Sequence, residues 1–304
     1  MEITNRLGLP AGIVKAASTE KHNAPMCLSA TTLLQGLKQI LLTERHWDEL
    51  TDDVADRIWA IWGTAVHSLL VHEGEYDFTE QEMSYKLGDI TITGRIDNYD
   101  MANGIIVDYK TASVNKIMFN DFTDWYLQGM IYAWLLTRNK FPVFNCRFIA
   151  LLKDHSKTDA ARNRSYPQNP VYVYEFPVTT EKLFKTGSFI RGKVDDYKKY
   201  LAAADDDIPP CLPQERWERP SEFAVKKEGV KKAVKLFEVK REAEERASAL
   251  GKGYYVEHRA GESVRCTRYC LCNSFCNFYR GMCGRSGVYQ IETEAAKKEE
   301  KNAA

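Results

Sequence analysis

Apolar positions along this chain change period several times, and each change predicts an element. Between residues 52 and 72, Val54, Ile58, Ile61, Ala65 and Leu69 recur at spacings of three and four, the signature of a helix with one apolar face. Strand signals follow at 82–87 and 90–99, joined by a Gly88-Asp89 turn, and at 105–110 after an Asn103-Gly104 dipeptide that favours a hairpin. The last of these begins as the buried run Ile105-Ile106-Val107 and ends in Asp108-Tyr109-Lys110. Helices are predicted at 122–138 and 179–203, and strands at 143–152 and 171–176. Segment 153–170 is polar, basic and rich in turn formers, and is read as a loop. The order helix, three strands, helix, strand predicts an α/β fold: an αβββαβ core with a mixed sheet flanked by helices.

Outside that core the pattern weakens. Residues 1–25 show no periodicity, so a mobile N-terminal segment is expected over 1–27 and the core over 28–205. Past Pro209-Pro210 the character changes. A charged helix is predicted over 230–250, with a narrow stripe of Ala233, Leu236, Val239, Ala243, Ala247 and Leu250 stopped by Gly251. Residues 254–259 and 263–265 read as a small hairpin. An appendage is expected over 206–290 and a disordered tail over 291–304, where the chain ends in low-complexity sequence.

Composition narrows the classes. With 44% hydrophobic and 28% charged residues the chain reads as an ordinary globular protein. No stretch approaches the roughly 20 apolar residues of a membrane helix, and the N-terminus has no signal-peptide pattern, so a cytoplasmic location without membrane contact is expected. In that compartment the 8 cysteines are thiols or metal ligands rather than disulfides. The net charge of zero conceals an asymmetry: residues 44–100 carry 14 acids against 4 bases, and residues 138–168 carry 7 bases against 2 acids. Metal held in one region and a polyanion in another would produce that division.

Strand geometry turns the charged end at 108–110 into a site. Side chains at i and i+2 share a face, so Asp108 and Lys110 point the same way. A two-residue Asn103-Gly104 turn sets Asp97 opposite Lys110; a turn centred one residue earlier sets Asp97 opposite Asp108. In either register the three groups lie within about 5 to 8 Å on one face. Two carboxylates converging beside a buried strand suit a hard divalent cation, magnesium or manganese. His67, on the preceding helix, is a candidate third ligand, and Gln128 and Tyr132 share a face of the following helix.

Together Gly63-x3-His67, Gly94-Arg95-Ile96-Asp97, Asp108-Tyr109-Lys110 and Gln128-x3-Tyr132 resemble the PD-(D/E)XK nuclease superfamily, and more narrowly its RecB-like branch with a C-terminal iron–sulfur cluster, which includes CRISPR-adaptation nucleases and phage-encoded relatives. The resemblance implies a restriction-endonuclease-like core in which His67, Asp97, Asp108 and the Tyr109 carbonyl hold the metal. Lys110 is then the catalytic lysine, and Gln128 and Tyr132 support the site or guide DNA. The second acid is Asp where many relatives have Glu, which bears on metal preference.

Five of the cysteines fall between Cys266 and Cys283. Thiolates packed so closely suit zinc or an iron–sulfur cluster. The branch resembled uses one distant cysteine and three grouped ones, which here implies a 4Fe-4S cluster on Cys266, Cys270, Cys276 and a partner. The usual position of that partner nominates Cys27, and the proline-flanked Pro210-Cys211-Leu212-Pro213 nominates Cys211, which is preferred. Cys272 is an alternative to Cys270, and zinc an alternative to the cluster.

For DNA, the basic loop offers Lys153, Lys157, Arg162 and Arg164 as phosphate contacts. Trp125, Tyr126 and Trp134 are candidates to stack bases, against the plainer reading of a helix core. The expected function is a metal-dependent deoxyribonuclease, an exonuclease or end-processing enzyme. It would act on single-stranded or frayed DNA in recombination, repair or phage replication, with recombination or replication proteins as partners. The rival classes are a nuclease-like DNA-binding or recruitment module and a zinc-stabilised interaction protein.

Overall fold

The computed structural model describes residues 1–18, 24–70 and 76–286, with side chains described as far as Met282. The expected tail at 291–304 and the side chain of Cys283 lie outside the described residues. The chain forms two compact units, residues 1–35 with 47–202 and residues 36–46 with 203–304.

In the first unit, β1 (Glu2–Thr4), α1 (Ala11–Ala17), β2 (Cys27–Ser29) and α2 (Ala30–Leu33) precede α3 (Leu37–Arg45), which belongs to the second unit. The chain continues through β3 (Thr51–Asp53), α4 (Ile58–Leu70), β4 (Phe78–Leu87), β5 (Ile90–Asp100), β6 (Ile105–Ala112), α5 (Val114–Met118) and α6 (Thr123–Arg138). It closes with β7 (Asn145–Leu152), α7 (Lys157–Arg162), β8 (Val171–Pro177) and α8 (Thr180–Tyr200). The αβββαβ run is therefore α4, β4, β5, β6, α6 and β7, an α/β fold with a mixed sheet flanked by helices.

The sheet runs β2-β5-β6-β7-β8, with β4 on the other side of β5. β4 and β5 pair antiparallel from Leu87↔Ile90 to Phe78↔Tyr99. Across its other edge β5 pairs first with β2, parallel, and only at its far end with β6, from Asp100↔Ile105 to Asn98↔Val107. β6 then runs parallel to β7 for eight pairs. β5 and β6 thus form a fork that opens after Asn98 and Val107.

α6 packs on this sheet, and Met130, Ile131, Ala133, Leu135 and Leu136 along it are fully buried, as expected of a helix apolar all round. The approach is close: a Cβ at Gly94 would lie 2.9 Å from both Tyr132 and Leu135, so β5 needs a glycine where the helix crosses it. Trp125 and Trp134 are 4% and 2% exposed. They are core, and the suggestion that they stack bases is withdrawn.

Four sequence expectations are corrected here. Residues 1–18 carry regular structure, because β1 pairs parallel with β3 and α1 follows it. The predicted 52–72 helix begins at Ile58, after β3 and a turn in which the Val54 N–H bonds the Thr4 carbonyl. The Asn103-Gly104 turn is a four-residue connection: Asp100 captures the Asn103 N–H at 3.0 Å and its amide at 2.7 Å, leaving only Gly104, at φ +62°, in the left-handed region. The loop 153–170 contains α7, capped by the Ser156 hydroxyl.

The second unit departs further from expectation. It comprises α3, β9 (Glu218–Arg219), β10 (Glu222–Lys227), β11 (Lys235–Phe237), α9 (Lys240–Leu250), β12 (Tyr254–Arg259), β13 (Glu262–Ser263), α10 (Val264–Arg268) and α11 (Asn277–Ser286). The first half of the predicted 230–250 helix is extended instead. β11 pairs with β10, which delivers Phe237 to a small core of Val225, Ala243 and Ala247. Segments 254–259 and 263–265 do not form a hairpin with each other: β12 pairs with β10, and β13 with β9.

Candidate functional site

The carboxylates stand in the β5–β6 fork. Continuing the register past Asn98↔Val107 sets Asp97 beside Asp108, the second of the two registers anticipated. Where the strands part, the Tyr109 N–H bonds the Asp97 carboxylate at 2.9 Å. Asp108 is 1% exposed, neither of its carboxylate oxygens has a hydrogen bond, and Lys110 Nζ faces one of them at 2.5 Å. A buried carboxylate with one ammonium as its partner has lone pairs left over, which a bound cation would satisfy.

His67 on α4 places Nδ1 3.4 Å from Asp97. The residue that sequence reasoning missed is Glu80. Its carboxylate lies 3.9 Å from the same imidazole nitrogen, and ligand atoms of His67, Glu80 and Asp97 all lie within 4.8 Å of one another. The β4–β5 register would pair Glu80 with Asp97, yet the ladder is interrupted at that step and Glu80 takes φ +50°. Register arithmetic from the Gly88-Asp89 turn would have found it had the predicted strand been carried back past residue 82.

The electrostatics suit a bound cation. Burial, and after it the charge of Asp108, pushes the Asp97 carboxyl up to about 8, with Glu80 adding to the rise and the Tyr109 N–H and Lys110 opposing it. Three carboxylates converge on one point of the fork, faced by Lys110 and, at Glu80, by Arg95. Oxygen and imidazole donors around it suit a hard divalent ion such as magnesium or manganese. Behind them Gln128 donates to the Tyr132 hydroxyl at 2.7 Å, both side chains being buried. Burial and the Asp108 charge raise the Tyr132 pKa, which keeps that phenol protonated.

A separate donor set lies within the second unit. Cys211, Cys266, Cys270, Cys272 and Cys276 line one cavity, with Lys38 and Arg216 among its other walls. α3 shapes it: buried Lys38 donates to the carbonyls of Asp205 and Ile208 at 2.6 and 2.7 Å, and Arg45 and His46 bind the Asp205 carboxylate. That holds the segment leading into Cys211, whose carbonyl accepts from Arg216. Gly36, the N-cap of α3, approaches Cys211 Sγ so closely that a Cβ there would collide with it.

Cys270 and Cys272 have their sulfurs 3.5 Å apart. Hydrogen bonding between them raises the Cys270 pKa and lowers that of Cys272 to about 7. Burial pushes Cys266 up to about 11 and raises Cys211 as well, with the neighbouring thiols adding to both. Crowded thiols that disfavour one another's ionisation are a donor set suited to a soft metal. Cys27 lies elsewhere, on β2 in the first unit, with its sulfur 3.7 Å from the Thr93 hydroxyl. Cys146 is buried in β7.

The four basic candidates are all exposed. Lys157 and Arg162 lie on α7 and Arg164 just after it, while Lys153 follows β7 with Nζ 3.6 Å from the Trp59 ring centre.

The mixed sheet opens over an acid pair and a lysine. The profile of the PD-(D/E)XK nuclease superfamily matches residues 20–277, and the chain belongs to that superfamily. Among solved structures it is similar to SSO0001, at 16% identity and TM-score 0.44 over 63% of this chain and 85% of that one. It is also similar to a candidate exonuclease from Eubacterium rectale, at 16% identity and TM-score 0.29 over 41% and 45% of the two chains. A phage-related exonuclease from Haemophilus somnus 129PT gives 13% identity and TM-score 0.30 over 55% and 74%. No curated protein matches the chain. Nucleases of this superfamily use divalent metals and cleave DNA. Among the described residues no helix is long and apolar enough to cross a membrane.

Proposed function

We propose that this nuclease is an exonuclease or end-processing enzyme acting on single-stranded or frayed DNA in recombination, repair or phage replication. The observation that carries the nuclease chemistry is the buried Asp108 facing Lys110 at 2.5 Å in the strand fork. His67, Asp97, Asp108 and the Tyr109 carbonyl would hold magnesium or manganese, and Glu80 extends that set. Such an ion supplies Lewis-acid charge to the scissile phosphate and acidifies water for in-line attack. Lys110 orients the nucleophile or neutralises charge on the phosphate, and Gln128 with Tyr132 holds the floor beneath the acids. Lys153, Lys157, Arg162 and Arg164 contact phosphates.

In the second unit we assign Cys211, Cys266, Cys270 and Cys276 to a 4Fe-4S cluster that clamps the cysteine-bearing segments together. Five thiols converge on one cavity where such a cluster needs four, so Cys272 is the spare or the substitute for Cys270. Zinc is the other soft metal this donor set accepts.

The test is end-labelled single-stranded and duplex DNA incubated with wild type and Lys110→Ala, in magnesium, manganese or chelator. Cleavage by wild type with metal, and by neither protein in chelator, is expected. No cleavage under any condition would leave a DNA-binding module.

A further inference from the structure

α4 carries His67 into the active site, and its outer face is apolar and, among the described residues, exposed. None of its 13 residues is buried. Trp59 is 62% exposed and Trp62 51% exposed. They are three residues apart, so their rings are neighbours on one face. The sequence pattern predicts a core stripe here, and a large apolar side chain left in water on a helix signals an interaction surface.

Three further observations say what covers it. Trp59 lies about 12 Å and Trp62 about 7.5 Å of helix rise before His67, and a strand covers such distances in a few nucleotides at roughly 3.4 Å each. Gly63, beside Trp62, lies against Thr111, the residue after Lys110, so the helix crosses the catalytic strand. Lys153 leaves the end of β7 with its N–H on the Ala112 carbonyl and its ammonium over Trp59. The aromatic face therefore has a cation at its edge, Lys153, and lies on the helix that carries His67, which suits an aromatic polyanion better than an apolar protein surface.

We propose that Trp59 and Trp62 are a stacking platform for the bases of an unpaired DNA strand, with Lys153 on its phosphates, leading that strand to His67. The inference rests on the nuclease reading and deepens it by naming the residues that select an unpaired strand. Indole rings stack on base faces, which a duplex keeps occupied, so the platform discriminates by strandedness and hardly at all by sequence.

The experiment measures fluorescence anisotropy of a labelled 20-nucleotide oligo-dT with Lys110→Ala protein in magnesium, which keeps the strand intact. A matched oligonucleotide with central abasic positions and a blunt duplex are run beside it. Trp59→Ala and Trp62→Ala should each weaken oligo-dT binding about 5- to 100-fold, while Trp59→Phe stays within about threefold and the duplex is unaffected. Abasic positions should cost the parent the same factor and cost the double alanine variant nothing further. The proposal is overturned if the alanine variants bind oligo-dT as the parent does, or if the parent ignores missing bases. It is equally overturned if the alanines dissociate an oligomer without changing DNA affinity, which would assign the face to a second copy. With wild-type Lys110 restored, cleavage of DNA that is indifferent to both tryptophans sinks the platform and keeps the nuclease. Tryptophan-dependent binding of the single strand without any cleavage keeps the platform and sinks the nuclease.

Discussion

The two donor sets of this molecule are built on opposite plans. The acid site stands on strands: Asp108 and Lys110 occupy ladder positions of β6 against β7, Asp97 and Glu80 stand on β5 and β4 where their ladder is interrupted, and only His67 comes from a helix. The cysteine cavity stands on connections: Cys211 follows a proline pair, and the other thiols sit on or between short helices. Strands fix donors through a backbone that is already hydrogen-bonded, so the sheet itself sets Asp97 and Asp108 side by side. Connections have no ladder, and a thiol cavity built from them relies on α3 and on whatever metal it binds. Removing a donor should therefore cost the first site its chemistry and the second its structure.

The largest effect expected is on chemistry. Asp97→Ala, Asp108→Ala and Lys110→Ala should each lower DNA cleavage by about a thousandfold or more while leaving the circular dichroism and melting profile near those of wild type. Asp108→Asn should be nearly as inactive, since it keeps the shape and removes the charge. A variant among these that unfolds would break the contrast; one that cleaves at near wild-type rate would displace the site.

Next comes the cysteine set, where structure should be lost first. Anaerobically purified protein is expected to be brown, with about four iron and four sulfide per chain. Cys211→Ser should lose the iron and render the second unit sensitive to protease, whereas Cys27→Ser should keep both. Colourless protein with one zinc per chain would replace the cluster without touching the acid site. Iron retained in Cys211→Ser and lost in Cys27→Ser would mean that Cys211 is not a ligand.

The same contrast explains what was legible in the sequence. A period-2 pattern and two turns sufficed to place Asp97, Asp108 and Lys110 on one face, because a strand's register follows from its turn. Asp100 binds Asn103 and widens the turn, and that local competition selects the second of the two registers. Glu80 was hidden because its strand, which begins at Phe78, was predicted to begin only at residue 82. The cavity's partners were not legible at all. Lys38 and Gln39 lie some 170 residues or more before Cys211 in the chain, and no periodic signal links them to it. The stripe on α4 shows the limit of periodicity from the other side, since spacing identifies an apolar face but not what covers it.

Glu80 sharpens the comparison at a smaller scale. If it belongs to the ion-binding set, Glu80→Gln should weaken magnesium or manganese affinity, read by calorimetry, about 10- to 100-fold, with folding unchanged. Its left-handed backbone allows a second variant: Glu80→Gly keeps the conformation without strain and removes the carboxylate. Affinity unaltered in both would return Glu80 to the role of a partner for Arg95, whose guanidinium lies 3.8 Å away.

The smallest effect is on pH. In metal-free protein the Asp97 carboxyl holds its proton up to about 8, well above the ordinary carboxylate range, because burial and Asp108 disfavour its charge. A carboxyl that binds its proton more tightly folded than unfolded contributes stability that is complete below about 4 and is lost as pH rises toward 8. In chelator the melting temperature of wild type should therefore decline relative to Asp97→Asn between pH 5 and 8, by about 2–4 °C for each kcal/mol involved. Because an ion competes with that proton, magnesium should raise the melting temperature more at pH 8 than at pH 5.5, and should do little for Asp97→Asn. A wild-type curve parallel to that of Asp97→Asn in chelator would show that Asp97 ionises without penalty, and the negative charge in the fork would then not be what draws in the metal.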